Sequence, residues 1–190
     1  MEQITVVKIG GNVIDNPEAL KRFLEEFAAL PGAKILIRGG GQLATRLAER
    51  LDLKEKKVDG RRDPERLRRV LDGGSTPVFS AIMHDGQGTL LNCNADSVAS
   101  AIALGAAEIA PADLVFCFEK SGVLRDPEDD TTLIREITAE TYAPLKADGI
   151  VSKGMIPKIE NALKAVEKGV RSVTIKHSDY LLNDTGTVIK

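Results

Sequence analysis

Two glycine clusters follow directly on two short β-rich runs. Ile4-Thr5-Val6-Val7-Lys8-Ile9 leads into Gly10-Gly11, and Lys34-Ile35-Leu36-Ile37 leads through Arg38 into Gly39-Gly40-Gly41. Glycine has no Cβ, so its backbone N–H groups can approach an anionic oxygen closely. The start of a following helix adds unpaired donors and a positive partial charge. A single pair would be no more than a tight turn. A pair and a triplet on consecutive strand ends predict that the two turns together hold the phosphates of a nucleotide. Neither is a dinucleotide fingerprint, because the G-x-G-x-x-G spacing is absent, and no P-loop lysine follows either one.

Three further segments carry polar groups at positions that fold alone does not require. Lys8 lies one residue before the end of an otherwise apolar strand, where an unpaired charge is costly, so a phosphate partner is expected. Leu91-Asn92-Cys93-Asn94-Ala95-Asp96 sets three polar side chains at a turn-to-helix junction. Asn94 suits the N-cap and Asp96 complements the helix dipole, but capping does not account for Asn92. Lys153-Gly154-Met155-Ile156-Pro157-Lys158 is a glycine loop entering a helix with Lys158 in its first turn, where a cation opposes the dipole unless an anion is near. His84 and His177 are the only histidines. Neither belongs to a Ser-His-Asp or Cys-His arrangement, and His84 reads as a surface residue beside a turn. The acidic run Asp126 to Asp130 reads as a solvated loop, and no cluster has metal-ligand spacing.

The elements that must position these residues follow from periodicity and punctuation. Asn16-Pro17 opens a helix with apolar Leu20, Phe23, Leu24 and Phe27, and Pro31-Gly32 ends it. Helices are also expected over Gln42–Leu51, from Asp63-Pro64 to Gly73-Gly74, from Asn94 to about Ala107, and from Pro157 to near Gly169. Strands are expected over Pro77–Ile82, Leu114–Phe118 and Ser172–Ile175, with a tight turn at Asp85-Gly86-Gln87-Gly88. Strands alternating with helices predict a parallel sheet covered on both faces. In such sheets the strand C-termini share one edge, and ligands bind there. The two glycine clusters and Lys8 fall at that edge.

Composition sets the frame. The chain has 190 residues, 43% apolar and 28% charged, with a formal net charge of -2. That is an ordinary balance for one globular domain and carries no basic excess for nucleic acid. No apolar run approaches the roughly 20 residues of a membrane span, and the start Met1-Glu2-Gln3 is not a signal peptide. Cys93 and Cys117 are the only cysteines, expected as reduced core thiols in the cytoplasm.

Taken in order, Val7-Lys8-Ile9-Gly10-Gly11, Gly39-Gly40-Gly41, Asp59-Gly60-Arg61-Arg62, Asn92-Cys93-Asn94-Ala95-Asp96, Ser121-Gly122-Val123-Leu124, Gly154-Met155-Ile156-Pro157-Lys158 and Thr185-Gly186-Thr187 resemble the amino-acid-kinase family, in particular its members acting on an N-acylated glutamate. The segments run from the first strand to the last. The resemblance implies a three-layer αβα sandwich with a mostly parallel open sheet. It divides the chain at about 1–95 for the acyl-glutamate half and 96–190 for the ATP half. The implied activity is phosphorylation of the acceptor's side-chain carboxylate by ATP with Mg²⁺, the ion held mainly by the phosphates, in arginine synthesis. Lys8 and Lys158 would contact the transferring phosphoryl group and Asp96 would orient them. Gly10, Gly11 and Gly40 would serve the phosphates, and Gly40 and Gly41 the acceptor. Arg62 and Asn92 would hold the acyl-glutamate, Asn94 would support the turn, and the loop with Glu119 and Gly122 would hold the adenosine. A cytoplasmic homodimer acting on small molecules, without nucleic acid or membrane, is implied.

The chain departs from the family in one large respect. Members carry several dozen more residues after the Gly-Arg segment, supplying a helix, a strand and a hairpin over the acceptor. Here Arg62 is followed at once by Asp63-Pro64-Glu65. A helix starting directly after that turn argues for a segment missing from the sequence rather than lost by the protein. Smaller departures are Arg38 before the glycine triplet, Glu119-Lys120 before the Ser-Gly turn, and Lys153. The chain begins almost at its first strand, without the helix of arginine-inhibited hexameric members, so a dimer at most and no response to arginine are expected. Competing readings are a same-fold kinase for another acceptor (N-succinylglutamate, acylated aminoadipate, aspartate or carbamate) and an inactive nucleotide-binding remnant.

Overall fold

The first strand, β1 (Ile4–Ile9), lies in the middle of the sheet and is buried along most of its length. In this computed structural model the described residues are 1–39, 63–85, 87–151 and 155–190. Gly40, Gly41, Arg62, the expected helix over Gln42–Leu51, Gly86, Lys153 and Gly154 lie outside them. After β1, a single turn, α1 (Gly11–Asp15), leads to α2 (Pro17–Ala29). The Asn16 side chain accepts from the backbone N–H groups of Glu18 and Ala19, and Pro17 occupies a first-turn position that needs no donor. Gly32, at φ +75°, turns the chain into β2 (Ala33–Arg38).

Past the undescribed stretch, Asp63 caps α3 (Pro64–Asp72) by accepting from Arg66 N at 3.0 Å. Leu67 and Leu71 form its buried side. The run from Pro77 to Ile82, expected as one strand, is divided. β3 (Val78–Ser80) pairs in parallel with β2, whereas β4 (Ile82–His84) leaves the sheet to pair antiparallel with β5 (Leu90–Asn92). The Ser80 hydroxyl accepts from Ile82 N at 3.1 Å, a local turn that competes with strand continuation at Ala81. The hairpin closes as expected at Asp85, whose Oδ1 accepts from Gln87 N and Thr89 N.

The second half contains α4 (Ala95–Ala107), β6 (Ala112–Phe118), β7 (Glu136–Ile137), α5 (Ala139–Ala147), α6 (Ile156–Glu167), β8 (Ser172–His177) and β9 (Thr187–Ile189). The seven-stranded sheet has the order β3-β2-β1-β6-β8-β9-β7. Strands β3 through β8 in that order run parallel; β9 is antiparallel to β8, and β7 is parallel to β9. On one face Ile4, Val6, Ile35, Ile37, Leu114 and Phe116 pack with α4 and α6. On the other, Val7, Ile9, Leu36 and Cys117 pack with Val13 of α1 and Phe23 and Phe27 of α2. These are the three layers expected from the alternation of elements. Both cysteines are buried, and burial pushes the Cys117 thiol up to about 12. Among the described residues no helix is long and apolar enough to cross a membrane.

Candidate active site

Strand alternation decides which side chains can meet. Ile4, Val6 and Lys8 share the face of β1 covered by α4 and α6, while Val7 and Ile9 face α2. Lys8 sits in register with Ile37 on one side and Phe116 on the other, so its strand neighbours are apolar. It is 9% exposed. The anion that compensates it is Asp96, in the first turn of α4, whose Oδ1 lies 2.8 Å from Lys8 Nζ. That contact lies outside hydrogen-bond angles, so Oδ1 accepts no aligned donor. The other oxygen, Oδ2, accepts from Lys158 Nζ at 3.3 Å. Burial alone would raise the Asp96 carboxyl, but the charges of Lys8 and Lys158 outweigh it and hold the carboxyl below its ordinary value.

Asn94 makes this arrangement possible by starting α4 where it does. Its Oδ1 accepts from Asp96 N at 2.9 Å and Ser97 N at 3.1 Å. Lys158 occupies the first turn of α6, which has no side-chain cap and no acidic residue in that turn. Its ammonium stands 5.7 Å over the ring of Phe118. An uncapped helix start beside two lysines is a suitable place for an anion of several oxygens.

The glycine turns converge on the same edge. Gly10 N donates to Cys117 O at 2.9 Å, tying the end of β1 to the end of β6. Gly39 N approaches Ile9 O at 3.4 Å. A Cβ on Gly39 would stand 3.8 Å from Gly11 N and 4.0 Å from Ala95 Cβ, so the second turn starts against the first and against α4. Asn92 ends β5 opposite Ile82, two residues before the α4 cap. Glu119 is exposed just after β6. Gly122 adopts φ +153°, and a Cβ there would lie 2.7 Å from both Leu133 Cδ1 and Thr187 Oγ1. Thr187 Oγ1 itself accepts from Val123 N and donates to Ile134 O. Packing alone thus requires glycine at this position.

Beside Phe118 a cleft of about 160 Å³ is lined by Val123, Leu124, Met155, Lys120 and Pro127. Sequence reasoning singled out neither Phe118 nor Met155. Phe118 could have been found from parity, since it shares the face of Phe116 at the C-terminal end of β6; Met155 gave no signal beyond its place before Pro157. A larger cleft, about 440 Å³, lies between α3, β3 and α4, against Leu67, Val70, Val78 and Ile102. It touches neither the lysines nor the glycine turns and offers mostly apolar walls, so the charged edge is the better place for chemistry.

The chain is 34% identical to an acetylglutamate kinase of Cytophaga hutchinsonii, with 99% of this chain and 97% of the relative covered. It is 33% identical to an acetylglutamate kinase of Phocaeicola vulgatus, covering 100% of this chain and 99% of that one. The first alignment spans 257 positions although this chain has 190 residues, so the relative carries an internal stretch with no counterpart here. Among solved structures, N-acetylglutamate synthase of Neisseria gonorrhoeae, complexed with coenzyme A and L-arginine, superposes with a TM-score of 0.76 at 16% identity. That likeness covers 98% of this chain and 61% of the synthase and concerns the fold alone. The sequence matches the amino acid kinase family over residues 3–63 and again over 54–177, two pieces that meet just before α3. With Lys8, Asp96 and Lys158 gathered at the strand ends of a mostly parallel sheet, the chain belongs to the amino acid kinase family.

Proposed function

We propose that the chain transfers the γ-phosphoryl group of ATP to the side-chain carboxylate of N-acetyl-L-glutamate, giving the acyl phosphate used in arginine synthesis. The observation that carries this reading is Asp96 holding Lys8 and Lys158 at one point of the sheet edge, in a chain whose relatives are acetylglutamate kinases over nearly their full length. A glutamate side chain has a reference pKa of about 4.3 and is ionised at neutral pH. It needs no general base. The barrier is the approach of one anion to another, which positioning and positive charge lower. Lys8 and Lys158 supply that charge, and Asp96 fixes where their ammonium groups stand.

The remaining roles are those the family resemblance implies. Gly10, Gly11 and Gly40 would face the phosphates, and Gly40 and Gly41 would lie between the γ-phosphate and the acceptor. Arg62 and Asn92 would hold the acyl-glutamate, with Asn94 supporting the turn. Glu119, Gly122 and the cleft beside Phe118 would take the adenosine, so residues 1–95 form the acceptor half and 96–190 the nucleotide half. The one carboxylate among the central groups, Asp96, is already taken by two ammonium groups. That donor set suits Mg²⁺ carried on phosphate oxygens, where it would neutralise part of their charge. Two buried cysteines agree with a cytoplasmic setting, and we place the enzyme there as at most a homodimer.

The test is an ATP-consumption assay across N-acetylglutamate, N-succinylglutamate, glutamate and aspartate, on protein whose intact mass matches 20.4 kDa. The expected result is the highest kcat/KM with N-acetylglutamate. Preference for a free amino acid, or no acceptor-dependent ADP at the verified mass, would overturn the reading.

A further inference from the structure

The cleft beside Phe118 has an apolar floor and one polar edge. Phe118, Val123, Leu124 and Met155 supply the floor. Lys120 Nζ forms the edge with the carbonyl of Pro127, to which it donates at 2.9 Å. Neither lysine nor proline had a role from the sequence, and Lys120 is one of the positions where the chain departs from its family.

We propose that this edge reads the base of the nucleotide, Lys120 donating to N7 of adenine and Pro127 O accepting from the 6-amino group. The inference rests on the reading of the chain as an ATP-dependent kinase and adds the selection of the base. Three observations support it. A volume of about 160 Å³ falls below the roughly 300–1,000 Å³ of pockets that enclose a whole drug-sized ligand, so it accommodates a ring system while ribose and phosphates extend outside. The ring of Phe118 belongs both to this floor and to the contact with Lys158, which puts the base next to the lysine assigned to the phosphates. The donor and the acceptor now satisfy each other, so a ligand with the complementary pair can replace one bond with two.

The complement is specific. Adenine presents N7 as an acceptor beside its 6-amino donor, whereas guanine presents two acceptors, N7 and O6, at the same places. Guanine would set O6 against Pro127 O with no proton between them. The wall carrying Pro127 is held from both ends. Ser121 Oγ donates to Asp130 Oδ1 at 2.9 Å, and within the loop Asp126 Oδ1 accepts from Glu128 N and Asp129 Oδ1 from Thr131 N. Lys120 is 51% exposed, and its other neighbour, Glu128 at 3.9 Å, is 89% exposed. So weak a pair does not compete with a bound base.

The experiment is calorimetric titration of the full chain with ADP, 7-deaza-ADP and GDP, for the wild type, Lys120→Met and Glu128→Gln, each checked for an unchanged melting profile. The wild type is expected to bind ADP about tenfold more tightly than 7-deaza-ADP or GDP, the worth of one hydrogen bond to a charged donor. Lys120→Met should lower ADP affinity about tenfold and abolish the difference between ADP and 7-deaza-ADP, while Glu128→Gln leaves all three affinities unchanged. Equal binding of ADP and 7-deaza-ADP by the wild type, or a 7-deaza penalty that survives in Lys120→Met, would overturn the base edge alone. A wild type that binds no adenine nucleotide would overturn the kinase reading with it.

Discussion

Lys8 and Lys158, at opposite ends of the chain, divide one carboxylate between them: Lys8 Nζ is 2.8 Å from Oδ1 of Asp96 and Lys158 Nζ is 3.3 Å from Oδ2. β1, α4 and α6 each contribute one member, so the triad exists only when the sheet and the helices on that face are assembled. It concentrates two positive charges at the strand ends while keeping each in a fixed position.

Removing either ammonium should act on the reaction more than on acceptor binding. Lys8→Ala and Lys158→Ala are expected to lower kcat by about 10²–10³-fold, with the KM for N-acetylglutamate within about threefold of wild type. Steady-state kinetics on variants with normal circular dichroism would check this. Near-normal turnover in both would sink the assignment.

Asp96→Asn should destabilise the fold, because it leaves two ammonium groups facing each other; a loss of roughly 1–3 kcal/mol is expected at pH 7 for a pair that is not fully buried. The pH dependence has a definite sign. The folded-state pKa of Asp96 lies below its ordinary value, after burial is outweighed by Lys8 and Lys158. Its contribution is therefore fully present above the unfolded-state pKa of about 3.9 and disappears as pH falls through the lower folded-state value. Urea melts at several pH values should show the two proteins converging only in that acidic window. A wild-type advantage that vanished already at pH 6 would contradict the geometry.

Gly122→Ala is expected to cost roughly 2–4 kcal/mol, since its φ of +153° and the 2.7 Å approaches to Leu133 and Thr187 leave no room for a Cβ. Gly74→Ala is the comparison. It also has a positive φ, +74°, but nothing stands within 4 Å of its added carbon, so about 1 kcal/mol is expected. Thermal melts without nucleotide measure both. Equal losses would show that the contacts with Thr187 and Leu133 carry little weight.

The thiols should be silent in the native state. Cys93 and Cys117 are both buried, and burial pushes Cys117 up to about 12. A chromogenic disulfide reagent at pH 8 should find no fast-reacting group in the folded protein and two per chain in guanidinium. One fast equivalent without denaturant would show that a thiol is open to solvent.

What the sequence made legible depended on the range of the interaction. The Asn16, Asp63 and Asn94 caps are local, and each starts its helix where the residue pattern put it. Glycine and proline punctuation likewise located β1, β2 and β6. Short or frustrated elements escaped. β7 has two residues and β9 three, too few for periodicity. α5 contains Pro144, which argues against a helix interior, yet Thr138 and Thr141 cap its start reciprocally and it forms. At the site, Lys8, Asp96 and Lys158 were each visible, but Lys8 called only for a phosphate, and a dipole charge and a surface lysine accounted for the other two one at a time. Only the order β2-β1-β6 with α4 and α6 on one face turns them into a single cluster, and no local pattern encodes that order.

The central place of β1 also bears on how the protein is made. Val6 lies between Ile35 of β2 and Leu114 of β6, so during synthesis β1 gains one neighbour early and the other only after about a hundred further residues have followed. Until then it is an unprotected sheet edge, the kind of surface on which nascent chains stick to one another. At about 5–20 residues per second, the stretch from β1 to β6 takes on the order of ten seconds to emerge. Early protection of β1 therefore rests on its pairing with β2, and the sheet closes around this strand only when β6 arrives.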